Sequence, residues 1–130
     1  MNKKILVTGA FFGVLGIILG AFASHGLKEL ITIEAQQSFE TGVRYQMYHA
    51  FLLLLIGSTT ILEEKPKKII FVLLFIGVLF FSGSIYGLST NELTAFNFKS
   101  IALITPIGGL LLILGWLIML INLLKMKGDN

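Results

Sequence analysis

The stretch IIFVLLFIGVLFFSGSIYGL, residues 69–88, runs for 20 positions without an acidic or basic side chain. Its apolar residues form a continuous run and do not alternate with polar ones, which argues against a half-exposed strand. A helix rises about 1.5 Å per residue, so about 20 residues cross the roughly 30 Å hydrocarbon core of a bilayer. In lipid the backbone must satisfy its own hydrogen bonds, which a helix does and an open strand cannot. The segment reads as a membrane-spanning helix.

Three more blocks have the same character: Ile5–Ala23, Tyr45–Leu62 and Ile101–Leu124, with 19, 18 and 24 residues and no Lys, Arg, Asp or Glu. The whole chain of 130 residues is 55% hydrophobic and 13% charged, with a mean hydropathy of +0.90. A soluble domain carries about 25% charged residues, so this chain lacks the polar surface for a water-facing exterior. The expected fold is all-α: a four-transmembrane-helix up-down bundle forming a single integral membrane domain over residues 1–130. The absence of cysteine excludes disulfides, thiolate metal sites and a lipoprotein anchor. The net charge of +3 does not point to nucleic acid, because the lysines flank apolar segments and form no patch of their own. The partner this composition implies is the lipid bilayer. Lys3-Lys4, an apolar run and Ala21-Phe22-Ala23 also match the layout of a cleavable signal peptide. The run exceeds the usual signal core of about 7–15 residues and carries glycines at packing intervals, so it reads as a retained span.

Cytoplasmic loops retain Lys and Arg. Lys3, Lys4, Lys65, Lys67, Lys68, Lys125 and Lys127 make seven on one side, against Lys28, Arg44 and Lys99 on the other. Both termini and the second loop are therefore expected in the cytoplasm. Thr32 is suited to cap a helix that starts near Ile33, so span two is expected to begin outside the membrane, several turns before its apolar core. Pro106 either kinks span four or opens a new helical stretch.

Gly9, Gly13, Gly16 and Gly20 form a stripe on span one, continued by Ala23, and span three carries Gly77 and the pair Gly83 and Gly87. Span four carries Gly108 and Gly115. Helices in lipid cohere by close approach across small residues, so these positions are expected to be helix-packing sites, within the bundle or on a homo-oligomer or membrane protein partner.

Polar side chains gather toward the outer half: Ser24 and His25, Arg44 through His49, Ser82, Ser84, Tyr86 and Thr105. Each has a second reading. The tyrosines suit an interfacial belt, Arg44 could pair with Glu40, His25 could cap span one, and the hydroxyls could bond back to their own helices. His49 lies about 6 Å, one helical turn, below Tyr45, and ionisable groups at such depth usually face the bundle interior. His25 and His49 are expected to share one pocket, with His49 inside, Tyr48 at the helix contact and Arg44 at the rim.

Four stretches in order carry a resemblance: Gly20-Ala21-Phe22-Ala23-Ser24-His25-Gly26-Leu27-Lys28, Thr41-Gly42-Val43-Arg44-Tyr45-Gln46-Met47-Tyr48-His49-Ala50, Phe81-Ser82-Gly83-Ser84-Ile85-Tyr86, and Ile104-Thr105-Pro106-Ile107-Gly108-Gly109 with Gly115-Trp116. Over nearly its whole length the chain resembles the uncharacterised bacterial membrane proteins typified by YwdK and YgdD. Ser24 stands where that pattern leads one to expect Gly or Ala. The resemblance implies four spans in the cell membrane and brings no catalytic residues with it.

Three functions compete. The first is a binding or accessory protein whose outer-leaflet pocket, lined by His25, Arg44, Tyr48, His49 and Tyr86, holds a lipid headgroup or small ligand. The second is a structural or assembly role through the glycine stripes. The third is bis-histidine haem ligation by His25 and His49; otherwise no cofactor or metal is expected. An enzyme is not expected, because no acidic residue lies inside a span to form a buried acid/base pair.

Overall fold

The computed structural model describes residues 2–95 and 97–128. Its long elements are α1 (Asn2–Ser24), α2 (Ile33–Ser58), α3 (Glu64–Ser89) and α4 (Ile104–Leu124), with short 3-10 turns at Asn91–Leu93 and Phe98–Ile101. No strand occurs among the described residues. Thr32 caps α2 by accepting a hydrogen bond from the Ala35 amide at 3.1 Å, so the expected extension from residue 33 is present. α2 stops at Ser58, short of the expected Leu62. There Thr59 turns extended, and its side-chain oxygen accepts from the Ile61 amide. Pro106 sits in the first turn of α4, where its missing amide has no intrahelical partner to lose. It therefore opens a helix and does not kink one.

Consecutive helices pack antiparallel: α1 on α2, α2 on α3, α3 on α4. α1 and α4 form the two flanks, with no substantial contact between them. Diagonal contacts tie the inner layer. Phe12 of α1 stacks on Phe75 of α3 with centroids 5.9 Å apart, and the ring of His49 in α2 meets Trp116 of α4. The main core runs through Phe12, Leu53, Ile56, Ile70, Leu74 and Leu112, and a smaller cluster of Ala23, Leu27 and Phe39 closes one end. We term that end distal, and the end holding the start of α1 and the finish of α4 basal. The flanks leave Val7, Phe11, Val14 and Ile17 exposed on α1 and Leu110, Ile113, Leu117 and Leu120 exposed on α4. Such surfaces suit acyl chains, which are as apolar as leucine.

Asn2–Ser24, Glu64–Ser89 and the combined Phe98–Leu124 are long and apolar enough to cross a membrane. α2 has the length, at 26 residues, but Arg44, Gln46 and His49 lower its hydropathy. Like α3, it is packed on both sides, in its case against α1 and α3.

The glycines explain how closely these helices approach. A Cβ on Gly108 would stand 2.8 Å from the Phe80 carbonyl carbon and would also meet the Phe81 backbone. Gly77 faces Leu112, Gly115 faces Leu74, and Gly87 receives the Phe98 ring. On α1, Gly9 lies against the Ala50 carbonyl, Gly16 against the Met47 side chain and Gly20 against Val43. Gly13 and Gly83 meet nothing within 4 Å, so these two expected packing glycines contact no helix of their own chain. At 100° per residue Gly9, Gly16 and Gly20 fall within about 40° of arc, with Gly13 at its outer edge.

Lys67, counted above among loop cations, belongs to the first turns of α3 and is only 1% exposed. Its ammonium donates to the Thr59 carbonyl at 2.7 Å and to Asn2 Oδ1 at 3.2 Å, and lies 3.8 Å from Glu64. A positive charge at the C-terminal carbonyls of α2 complements that helix's dipole. One side chain thus ties α1, α2 and α3 together at the basal end.

Gly108→Ala is expected to lower stability by about 1–3 kcal/mol, the cost of overpacking a close contact. Gly13→Ala should change it by less than about 0.5 kcal/mol. Thermal unfolding of the two purified variants in detergent checks the contrast, and equal losses would contradict it.

Candidate functional site

The polar side chains of the bundle interior meet one another. Gln46 is 4% exposed at the centre of α2. Its Nε2 donates to the Phe12 carbonyl of α1 at 2.8 Å, and its Oε1 accepts from the Tyr86 hydroxyl of α3 at 2.6 Å. One turn toward the distal end, Ser82 Oγ donates to the Gly42 carbonyl at 2.7 Å, possible because Gly42 has no side chain to hold α3 away. Ser84 and Thr105 bond across α3 and α4 at 2.5 Å, and Ser84 also bonds back to the Phe80 carbonyl. Trp116 Nε1 donates to His49 Nε2 at 3.1 Å. Indole N–H is only a donor, so Nε2 must accept, and Nδ1 carries the hydrogen donated to the Tyr45 carbonyl at 2.6 Å.

This arrangement divides the five expected pocket residues. His49 is buried as expected, and Tyr86 turns inward, but each ends on a protein partner. Arg44 is exposed and donates to Thr41 Oγ1 at 2.9 Å, not to Glu40. Tyr48 is 53% exposed and lies on the Tyr45 ring, away from the helix contact expected for it. His25 is exposed just beyond α1, and Gln36 Nε2, not His25, bonds the Ala23 carbonyl at 3.2 Å. That bond sets α1's end level with Gln36, and His49 lies thirteen residues further along α2, about 20 Å at 1.5 Å per residue. The two histidines therefore share no partner, and the span is too great for one haem iron. The shared-pocket and bis-histidine expectations are both corrected. Among the described residues no three His, Asp or Glu cluster as metal ligands.

Gln46 is not among the expected site residues. A carboxamide one turn from Gly42 in an expected span is the signal that points to it, since an amide at membrane depth must find protein partners.

Open space lies at the ends. Where α2 begins, α3 finishes and α4 starts, a cleft of about 360 Å³ is lined by Glu34, Ser38, Leu88, Ser89, Ala102 and Thr105 among others. A smaller cleft of about 120 Å³ shares Leu88 and Ser89 and adds Asn91, Glu92 and Lys99. Ser89 Oγ is buried and has no hydrogen-bond partner. Buried hydroxyls are nearly always paired, and Ser89 is the residue that lines both clefts while its own Oγ stays unpaired.

The family described as "Protein of unknown function (DUF423)" matches residues 19–109. A UPF0382 membrane protein of Staphylococcus epidermidis is 36% identical over 126 residues, covering 97% of this chain and 99% of its own. The UPF0382 membrane protein YwdK of Bacillus subtilis is 34% identical over 128 residues, covering 95% and 98%. The UPF0382 inner membrane protein YgdD of Escherichia coli is 29% identical over 129 residues, covering 97% and 93%. No solved structure matches the chain.

Interhelical hydrogen bonds in membrane proteins average about 0.6 kcal/mol and reach about 1.7 kcal/mol. Gln46→Leu removes two of them and is expected to cost about 1–2 kcal/mol on that scale. A double-mutant cycle with Tyr86→Phe, read by unfolding in detergent, should return a coupling of about 0.6–1.7 kcal/mol. Additive losses would mean the bond contributes nothing.

Proposed function

The chain belongs to the DUF423 family and is a multi-pass membrane protein. On that premise we propose a four-span, non-catalytic binding protein that takes a small ligand or lipid headgroup at its distal end. The observation carrying this reading is Ser89 Oγ, a buried hydroxyl without a partner in the wall of the distal cleft. Its hydroxyl can donate or accept, and Glu34 and Thr105 add acceptor oxygens around the same space. Leu88 and Ala102 supply an apolar wall. A ligand offering a hydroxyl or amine donor beside an apolar portion fits this lining. The interior polar groups support a non-catalytic role, since Gln46, His49, Ser82 and Tyr86 are each engaged by the protein.

Topology supports a fourth span. α1 and α3 both start at the basal end, where Asn2 meets Lys67. If both cross the bilayer, the chain must return between them, and α2 is the return. Its 26 residues reach about 39 Å, and its polar groups lie satisfied inside the bundle. Seven of the ten Lys and Arg fall at the basal end or in the tail beyond it, which supports cytoplasmic termini. An alkaline phosphatase fused to the C-terminus is expected to be inactive, and a fluorescent protein there bright. The reverse pattern would invert the bundle.

Mass spectrometry of the purified protein is expected to find a co-purifying compound at near one per chain. Ser89→Leu, which fills the cleft, should lose it while the protein stays helical and monodisperse in detergent. Identical bound compounds in both proteins would overturn the reading. A partner seated on α1 is the second reading, supported by Gly13, which opens on no helix of its own chain. Only that reading has Gly13→Leu alter the mass of the complex in detergent.

A further inference from the structure

At the basal end a third cleft, about 340 Å³, opens between the first turns of α1 and α3. Its lining divides in two. Lys4, Glu64 and Lys68 supply charge where the helices begin, and Ile5, Phe71 and Val72 form an apolar wall. Lys68 and Val72 are one helical turn apart, so the charged mouth lies about 6 Å from the apolar wall along the helix. Val72 is 50% exposed, and the wall runs onto the outer face of the bundle without a polar break. The Lys4 and Lys68 ammonium groups bond to no described side chain or carbonyl, whereas neighbouring Lys67 has its ammonium occupied by Thr59 and Asn2. Two cations are thus free at a membrane surface, over a groove of acyl-chain character. Glu64 is partly balanced by Lys67 at 3.8 Å, so the mouth keeps a net positive charge.

We propose that this cleft binds an anionic phospholipid. Lys4 and Lys68 grip the phosphate as point charges, and one acyl chain lies along Ile5, Phe71 and Val72. The Glu64 carboxylate accepts hydrogen bonds from headgroup hydroxyls, as a glycerol headgroup offers. The apolar wall sets this apart from a soluble phosphate site, since a free anion gains nothing from it. A basic pocket between helices at the membrane surface is where anionic lipid is held against the bulk bilayer. The inference requires only that the basal end lie at a membrane surface, on either side, and it does not depend on the distal cleft.

The test uses the full-length protein in detergent, with phosphatidylglycerol or phosphatidylcholine added and retention read by native mass spectrometry. Phosphatidylglycerol should be retained at one per chain and phosphatidylcholine should not. Lys4→Gln with Lys68→Gln should weaken retention by about thirtyfold, from roughly 1 kcal/mol per lysine near a membrane surface. Lys4→Arg with Lys68→Arg should restore it. Val72→Trp, which blocks the wall and keeps both charges, should also abolish it, and Ser89→Leu should leave it unchanged. Equal retention of both lipids, or a Gln pair that binds as wild type, would overturn the assignment. So would inorganic phosphate that displaces the lipid at equal concentration, which would assign a soluble anion.

Discussion

A carboxamide in the middle of a membrane protein has nowhere to hydrogen-bond except the protein around it, and the position of Gln46 follows from that. With its amide on the Phe12 carbonyl and its oxygen on the Tyr86 hydroxyl, it fixes the register of α1 and α3 against the helix between them. A shift of one turn in either neighbour would strand one end of the amide. The bonds from Ser82 to Gly42 and from Trp116 to His49 apply the same constraint above and below. Between helices with no hydrophobic driving force, this polar ladder selects one packing among many of similar apolar contact.

The ladder also explains why the least apolar helix is one of the two inner ones. α2 carries the groups that lipid rejects, and its neighbours α1 and α3 cover them. α4 carries almost none and touches the rest chiefly along Gly108, Leu112 and Gly115, leaving most of its surface outward. Gly108 lets α4 reach the backbone of Phe80 and Phe81, and that closeness brings Thr105 to Ser84 and Trp116 to His49. Small residues and polar pairs therefore act jointly: the glycines set the distance at which the hydrogen bonds can form.

Much of this was legible in the sequence, and what was not has an identifiable cause. Continuous apolar runs gave the helices, and Thr32 and Pro106 gave two helix starts, because caps and first turns are local chemistry. Partners were not legible. Tyr48 and His49 are adjacent residues near the same depth, yet helical rotation turns one outward and the other to Trp116. His25 and His49 were grouped because both lie in the distal half of adjacent helices, but α2 runs about 20 Å from the level of α1's end to His49. A long extension hides such an offset from anyone counting spans alone. Lys67 read as a loop cation because three lysines crowd the second loop, and only packing shows which of them folds under the helix ends.

The interior is closed by glycine contacts and paired polar groups, and the clefts with polar lining among the described residues lie where helices begin or end, while the larger apolar groove along residues 113–123 of α4 opens outward. The two principal end clefts differ in charge: Glu34 borders the distal one, while Lys4 and Lys68 border the basal one. Both are walled by α3, through Ser89 and Lys68. Those residues are 21 positions apart, about 32 Å along a helix, close to the roughly 30 Å thickness of the hydrocarbon core. One helix thus carries polar lining residues near both of its ends, with the glycine contacts and paired polar groups of the bundle between. A ligand at one end would be felt at the other only through a rigid shift of α3, which the Gln46–Tyr86 bond and the Gly77–Leu112 and Gly108–Phe80 contacts resist. On the two proposed readings the ends would be independent sites on a common scaffold.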